Sequence, residues 1–143
     1  MLPGGFMDPR LESEVNKVAE VFQTDESRDA AAALSQALMP MNTEDYKDFL
    51  SAVAAKAPGE SNLWSVLDLS GKDVHIWSKK DLSPDYVLVM PGQTLSQIAR
   101  NEDYQPQSPE RTKEAVQKWA EWNDIEDPNK LRAGQVLGIP QNL

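Results

Sequence analysis

The apolar residues of this 143-residue chain change their spacing at Pro58-Gly59, and that change restricts the fold to a mixed one. Before it, apolar side chains recur every three or four residues, the period of a helix face. After it come short runs of branched and aromatic residues bounded by turn formers, the signature of strands. A helix-period pattern does not settle as a strand, nor the reverse. The expected fold class is therefore α+β.

Upstream of the change, Asp8-Pro9 is a helix opening, with an acceptor at the N-cap and a proline whose missing N–H costs nothing at the first helical position. Leu11, Val15, Val18 and Phe22 follow on one stripe and predict a helix over about 9–23. Asp25 or Ser27 caps a second helix that runs through the alanines at 30–33 to Leu38, where Pro40 stops it by forcing the preceding residue out of the α region. Asn42 or Thr43 starts a third, with Tyr46, Phe49, Leu50 and Val53 along one side.

Downstream, Leu63 to Leu69 and Val74 to Trp77 flank the turn Ser70-Gly71-Lys72-Asp73 and predict a β-hairpin. Alternation sets Trp64 and Val66 on one face of the first strand, and Val74 and Ile76 on one face of the second. An isolated hairpin is marginal in water, so this one must pack on the helices, on the C-terminal part of the chain, or on another chain. Ser83-Pro84 is the expected boundary, giving a helical unit with hairpin over 6–82 and a second unit over 85–143.

The second unit reads strand, helix, helix, strand. Val87 and Val89 form a short strand, and Met90-Pro91-Gly92-Gln93 a turn. Thr94 to Arg100 is a short helix capped by Thr94 or Gln93. Ser108-Pro109 opens another, with Ala115, Val116 and Trp119 on its apolar stripe and its end near Asn123. Trp122 falls beside that stripe, either buried with it or exposed at its edge. A loop over 124–130 leads to a closing turn and strand over 134–140.

Two strings in this region, Pro91-Gly92-Gln93-Thr94-Leu95-Ser96-Gln97-Ile98-Ala99 and Asp127-Pro128-Asn129-Lys130-Leu131-Arg132-Ala133-Gly134-Gln135-Val136-Leu137-Gly138-Ile139-Pro140, resemble the LysM family in order and in residue type. The resemblance implies a LysM-like βααβ module, a two-stranded antiparallel sheet with two helices on one face. It also implies binding of N-acetylglucosamine-containing glycan, bacterial peptidoglycan foremost or a chitin-like polymer. The departures are Val87 where the family has tyrosine, Gln93 where it has an acidic residue, and a longer Asn101–Ser108 segment.

Carried over residue by residue, the family's sugar groove has Gly92, Gln93, Thr94 and Leu95 on one lip and Asn123, Asp124, Ile125, Pro128 and Asn129 on the other. Such a groove suits a neutral N-acetylated sugar, which wants backbone amides, a few neutral side chains and a shallow apolar floor. Gly92 allows close backbone approach. Leu95, Ile125 and Pro128 are the candidate apolar contacts, and Gln93 and Asn129 the candidate hydrogen-bonding pair.

Charge removes other partners. The net charge is −9, and both parts are acidic: 8 basic against 14 acidic side chains in 1–84, 6 against 9 in 85–143. No basic cluster exceeds Lys79-Lys80, so neither nucleic acid nor an anionic membrane is an expected partner. No apolar run approaches the roughly 20 residues of a membrane span, and Met1 to Phe6 has no secretory-signal pattern. The expected setting is synthesis in the cytoplasm, with any role in the periplasm or cell wall reached by delivery or within a virion or secretion machine. The chain also reads as a possible fragment of a longer one.

Catalytic readings find little. The absence of cysteine removes thiolate nucleophiles, thiolate metal sites and disulfides. His75, the sole histidine, falls on a hairpin strand without a distinguished nucleophile and reads as a packed or surface residue. The carboxylate pairs Glu12/Glu14, Asp25/Glu26 and Glu44/Asp45 belong to exposed helix faces. Asp124, Glu126, Asp127 and Asn129 lack the spacing of a calcium loop. No cofactor, metal or enzymatic activity is expected. The alternative to glycan binding is a structural or adaptor role, in a phage tail or baseplate or a contractile injection system or its cargo, with Trp64, Trp77 and the hairpin edge docking a protein.

Overall fold

The computed structural model describes residues 9–23, 27–56, 65–78, 85–102 and 108–140. The expected caps at Asp8 and Asp25, Trp64 with the start of the first hairpin strand, the Ser83-Pro84 boundary, the carboxylate pair at 25 and 26, and Asp103 to Gln107 lie outside them.

Three helices come first: α1 (Pro9–Phe22), α2 (Ser27–Leu38) and α3 (Tyr46–Lys56), the last entered through a 3-10 turn at Thr43–Asp45. Strands β1 (Ser65–Asp68) and β2 (Val74–Ser78) form the hairpin, and β3 (Tyr86–Leu88) comes next. Then come α4 (Leu95–Glu102), α5 (Pro109–Trp122) and β4 (Val136–Gly138). The fold is α+β, as the change of period requires.

All four strands join one antiparallel sheet in the order β1-β2-β3-β4. The hairpin is therefore not left alone. Its second strand pairs with the first strand of the C-terminal module, with Val74 opposite Leu88, His75 opposite Val87 and Ile76 opposite Tyr86. Bonds beyond the strands extend the ladder: Asp85 N–H donates to Ile76 O at 3.0 Å, and Ile139 N–H to Asp85 O at 3.1 Å. The sheet thus takes strands from both sides of the expected Ser83-Pro84 boundary.

Side-chain alternation gives each face of this sheet its own core. Leu67, Ile76 and Leu88 point to the side of α1–α3 and join Val15, Val18, Phe22, Leu34, Leu38, Tyr46, Phe49, Leu50 and Val53. Val87, Val89 and Leu137 point the other way and join Leu95, Ile98, Ala99, Ala115 and Trp119 from α4 and α5. The three expected helix stripes are buried except for Leu11 and Val116, which are half-buried, and β3 serves both cores through successive residues. The result is three layers, helices on each side of a shared sheet.

The helical layer also touches the far loop directly. A Cβ at Gly134 would lie 3.0 Å from Met39 N and Tyr46 Oη and 3.1 Å from Leu38 C. Tyr46 Oη donates to Leu38 O at 2.8 Å within this contact. Ser27 Oγ bonds Asp85 Oδ2 at 2.7 Å, so α2 is tied to the entry of β3 as well.

Candidate functional site

The first expected lip is built by turn chemistry. Gln93 N–H donates to Met90 O at 3.1 Å across Pro91-Gly92, and Gly92 has φ +85°. That is a type II turn, which favours proline at its second position and needs a positive φ at its third. The Gln93 side chain folds back to accept from Met90 N at 2.9 Å. The second Gly-Gln pair does the same. Gln135 N–H bonds Arg132 O, its Oε1 accepts from Arg132 N at 3.1 Å, and Gly134 has φ +89°. The two turns sit side by side, since Val89 exchanges backbone bonds with Gln135 and Gly134 at 2.8 Å each.

The helix α4 opens on a reciprocal cap. Gln97 N–H donates to Thr94 Oγ1 at 3.2 Å, and Thr94 N–H to Gln97 Oε1 at 3.0 Å. The cap is thus Thr94, with Gln97 closing a capping box. Gln93 instead faces the hairpin, its Nε2 donating to Asp73 Oδ1 at 2.9 Å.

The second lip begins where α5 ends. Asp124 has φ +54°, Ile125 N–H reaches back to Ala120 O at 2.8 Å, and Asp124 N–H to Glu121 O at 3.4 Å. These paired bonds are the common left-handed helix stop, occupied here by aspartate, which tolerates that region better than most residues. Asn123 ties this stop to β4: its Nδ2 donates to Trp119 O and Gly138 O, both at 3.0 Å, and its Oδ1 accepts from Gly138 N at 2.6 Å. Asp127 then organises the Pro128-Asn129 turn, its Oδ1 accepting from Asn129 N at 3.0 Å and its carbonyl from Lys130 N at 3.0 Å.

Both lips hang from the second core, which contains Leu95 and is flanked by Ile125 and Leu131. Gly92, Thr94, Asp124 and Asn129 are exposed, and Gln93, Asn123, Ile125 and Pro128 are half-buried. Leu95 differs from the rest. At 1% exposure its side chain is core, because it is the first apolar position of the α4 stripe, and it offers a ligand no apolar surface. The side-chain amides of Gln93 and Asn123 are engaged within the protein. Each keeps its lip in shape, which leaves Thr94, Asp124 and Asn129 as the exposed polar side chains.

Trp122, whose position the spacing alone left open, is 49% exposed. It adjoins Asn123 on the second lip, and its indole Nε1 would lie 3.1 Å from a Cβ at Gly138. Glycine there is what lets the ring lie close to β4.

His75 is packed, not free. Its Nε2 lies 2.9 Å from Glu102 Oε1 at the end of α4, and that carboxyl raises the imidazole above its ordinary value against the opposing effect of burial. Burial raises Glu102 too, and the neighbouring Asp73 carboxyl adds to that while His75 opposes it. Asp68, opposite His75, is lowered by the Ser70 hydroxyl and backbone N–H that it accepts. No spacing rule would have joined residues 73, 75 and 102.

A strand–turn–helix–helix–strand module with two glycine-glutamine turns is thus in place over the last third of the chain. Residues 87–140 match the family model of the LysM domain, so the C-terminal part carries the family its motifs resemble. That match supports glycan binding of the peptidoglycan or chitin kind by this part of the chain. No curated protein and no solved structure matches significantly.

Proposed function

We propose that the chain binds N-acetylglucosamine-containing glycan without catalysis, with bacterial peptidoglycan as the leading ligand. The observation that carries this reading is the LysM match at 87–140. Its turn and helix-stop segments present exposed Gly92, Thr94, Asp124 and Asn129, with Trp122 beside them. Aromatic surface of this kind suits the apolar face of a pyranose ring, and neutral hydrogen-bonding groups suit its acetamido and hydroxyl groups. One such module binds weakly, and tight association with a polymer comes from several copies acting together.

Co-sedimentation of the full chain with insoluble peptidoglycan, chitin and cellulose tests the reading. Retention on peptidoglycan, competed by soluble N-acetylglucosamine oligomers and without release of reducing ends, is expected. Recovery of all protein in the supernatant with every polymer would refute it.

A second reading, an assembly role, has one observation in its favour: β1 is an edge of the sheet, paired only to β2 among the described residues. Strand edges pair readily with other chains. Static light scattering separates the two, since an edge-paired assembly requires an oligomer or a stable heteromeric partner.

A further inference from the structure

Asp73, the last turn residue before β2, is buried at 1% exposure and is the one buried charged residue among those described. Its two carboxylate oxygens have unlike surroundings. Oδ1 accepts from Gln93 Nε2 at 2.9 Å and from Asn101 Nδ2 at 3.0 Å. Oδ2 is buried and has no hydrogen-bond partner among the described residues. Two amides therefore hold the carboxylate in one orientation and leave the second oxygen without a donor, an arrangement that costs free energy unless something positive meets it.

Beside it lie His75 and Glu102. One donor atom from each of the three residues falls within 4.8 Å of the others, and His75 Nε2 is 2.9 Å from Glu102 Oε1. Two carboxyls and an imidazole gathered this way offer a cation three donor atoms at once. We propose that Asp73, His75 and Glu102 form a binding site for a divalent first-row transition metal, with Zn²⁺ as the reference ion. One imidazole nitrogen with two carboxylate oxygens is a borderline donor set, which fits Zn²⁺ or its first-row neighbours and not Mg²⁺ or Ca²⁺. Donors bound at about 2.0–2.2 Å lie roughly 3.5 Å from one another, so the wider pairs close by about 1 Å and the His75–Glu102 pair opens slightly. His75 and Glu102 are part-exposed, so water completes the coordination from the solvent side. Gln93 and Asn101 act as the outer hydrogen bonds that orient a ligating carboxylate.

The ion joins the hairpin, through residues 73 and 75, to the end of α4, and through Gln93 it stiffens the turn at 91–94. The site stands independently of the glycan reading. Its ligands are dispersed over 30 positions of sequence, so no contiguous motif announces it.

The test is a Zn²⁺ titration of the chelator-treated full chain without a histidine tag, read on the imidazole nitrogens by NMR. With one histidine in the chain, the signal needs no assignment. The expected result is movement of the His75 signals that saturates at one Zn²⁺ per chain, with a rise in melting temperature. Glu102→Gln and Asp73→Asn should each weaken binding by about tenfold or more. Imidazole signals indifferent to millimolar Zn²⁺ would overturn the site and leave a proton shared between the carboxyls. Equal affinity in wild type and variants would overturn it too, as the mark of a lone surface histidine. If Asp73→Asn does not fold, Glu102→Gln decides, since it keeps a hydrogen bond to His75.

Discussion

Gly134→Ala probes the contact that seats the helical layer against the C-terminal module. Two terms oppose the substitution. An alanine at φ +89° costs about 1–2 kcal/mol for the left-handed backbone. Its Cβ would also press on Met39 N, Tyr46 Oη and Leu38 C at 3.0–3.1 Å, two of which are backbone atoms that cannot turn aside. Overpacking of this kind costs about 1–3 kcal/mol. Reduced freedom of the unfolded chain returns about 0.4–1 kcal/mol. The net expectation is a loss of about 3 kcal/mol, within a range of about 1–4.6 kcal/mol. Gly92→Ala is the internal control, because its φ is +85° and nothing lies within 4 Å of its Cβ. It should lose only about 1 kcal/mol. Urea denaturation of both variants gives the difference from midpoints at unchanged slope. Adding Tyr46→Phe should recover part of the Gly134→Ala loss, with a coupling of at least about 0.5 kcal/mol. Equal losses at the two glycines, or additive behaviour of the pair, would show that the loop does not rest on α2 and α3.

Single contacts set the other outcomes. Asn123→Ala should cost about 2–4 kcal/mol in urea, because it leaves both the N–H and the carbonyl of Gly138 without their side-chain partner; a loss below about 0.5 kcal/mol would contradict the tie between α5 and β4. Burial raises the Tyr46 phenol above the ordinary tyrosine value of about 10. A raised group favours the fold while protonated, so its contribution is full below the unfolded value and is lost as pH rises through the folded one. In an alkaline absorbance titration, Tyr46 should ionise above the ordinary tyrosine range and together with unfolding, and a Tyr46→Phe variant should lose that step; ionisation of Tyr46 within the ordinary range would be inconsistent with its burial. Trp122→Ala should weaken retention on peptidoglycan about tenfold or more while leaving the urea midpoint nearly unchanged, as an exposed stacking platform requires; unchanged retention would remove Trp122 from the site.

The parts of the fold written in local spacing were legible. The Val15–Val18–Phe22 stripe, the Tyr46–Phe49–Leu50–Val53 stripe and the Pro-Gly turn before α4 are each set by residues within one or two turns of chain. Ile76 and Trp119 also fell on faces that alternation or helical period assigns. What was not legible is pairing at a distance. Nothing local says that Val74 lies opposite Leu88, because hairpin and module are each complete patterns and only the shared sheet joins them. The same holds for Asp73, His75 and Glu102, brought together by the β2–α4 contact. At the candidate groove, turn residues were legible as turns, but the commitments of Gln93 and Asn123 were not. An amide side chain reads alike in sequence whether it faces a sugar or a backbone carbonyl, and Leu95 belongs to both the motif and the core stripe.

Glycan binding is tested most directly by an NMR titration of the full chain with N-acetylglucosamine oligomers of increasing length. Backbone amide shifts confined to Gly92–Leu95 and Asn123–Asn129, with the Trp122 indole moving alongside and all growing with oligomer length, are the predicted result. Amides unmoved at millimolar oligomer, or shifts gathered on the hairpin instead, would contradict it.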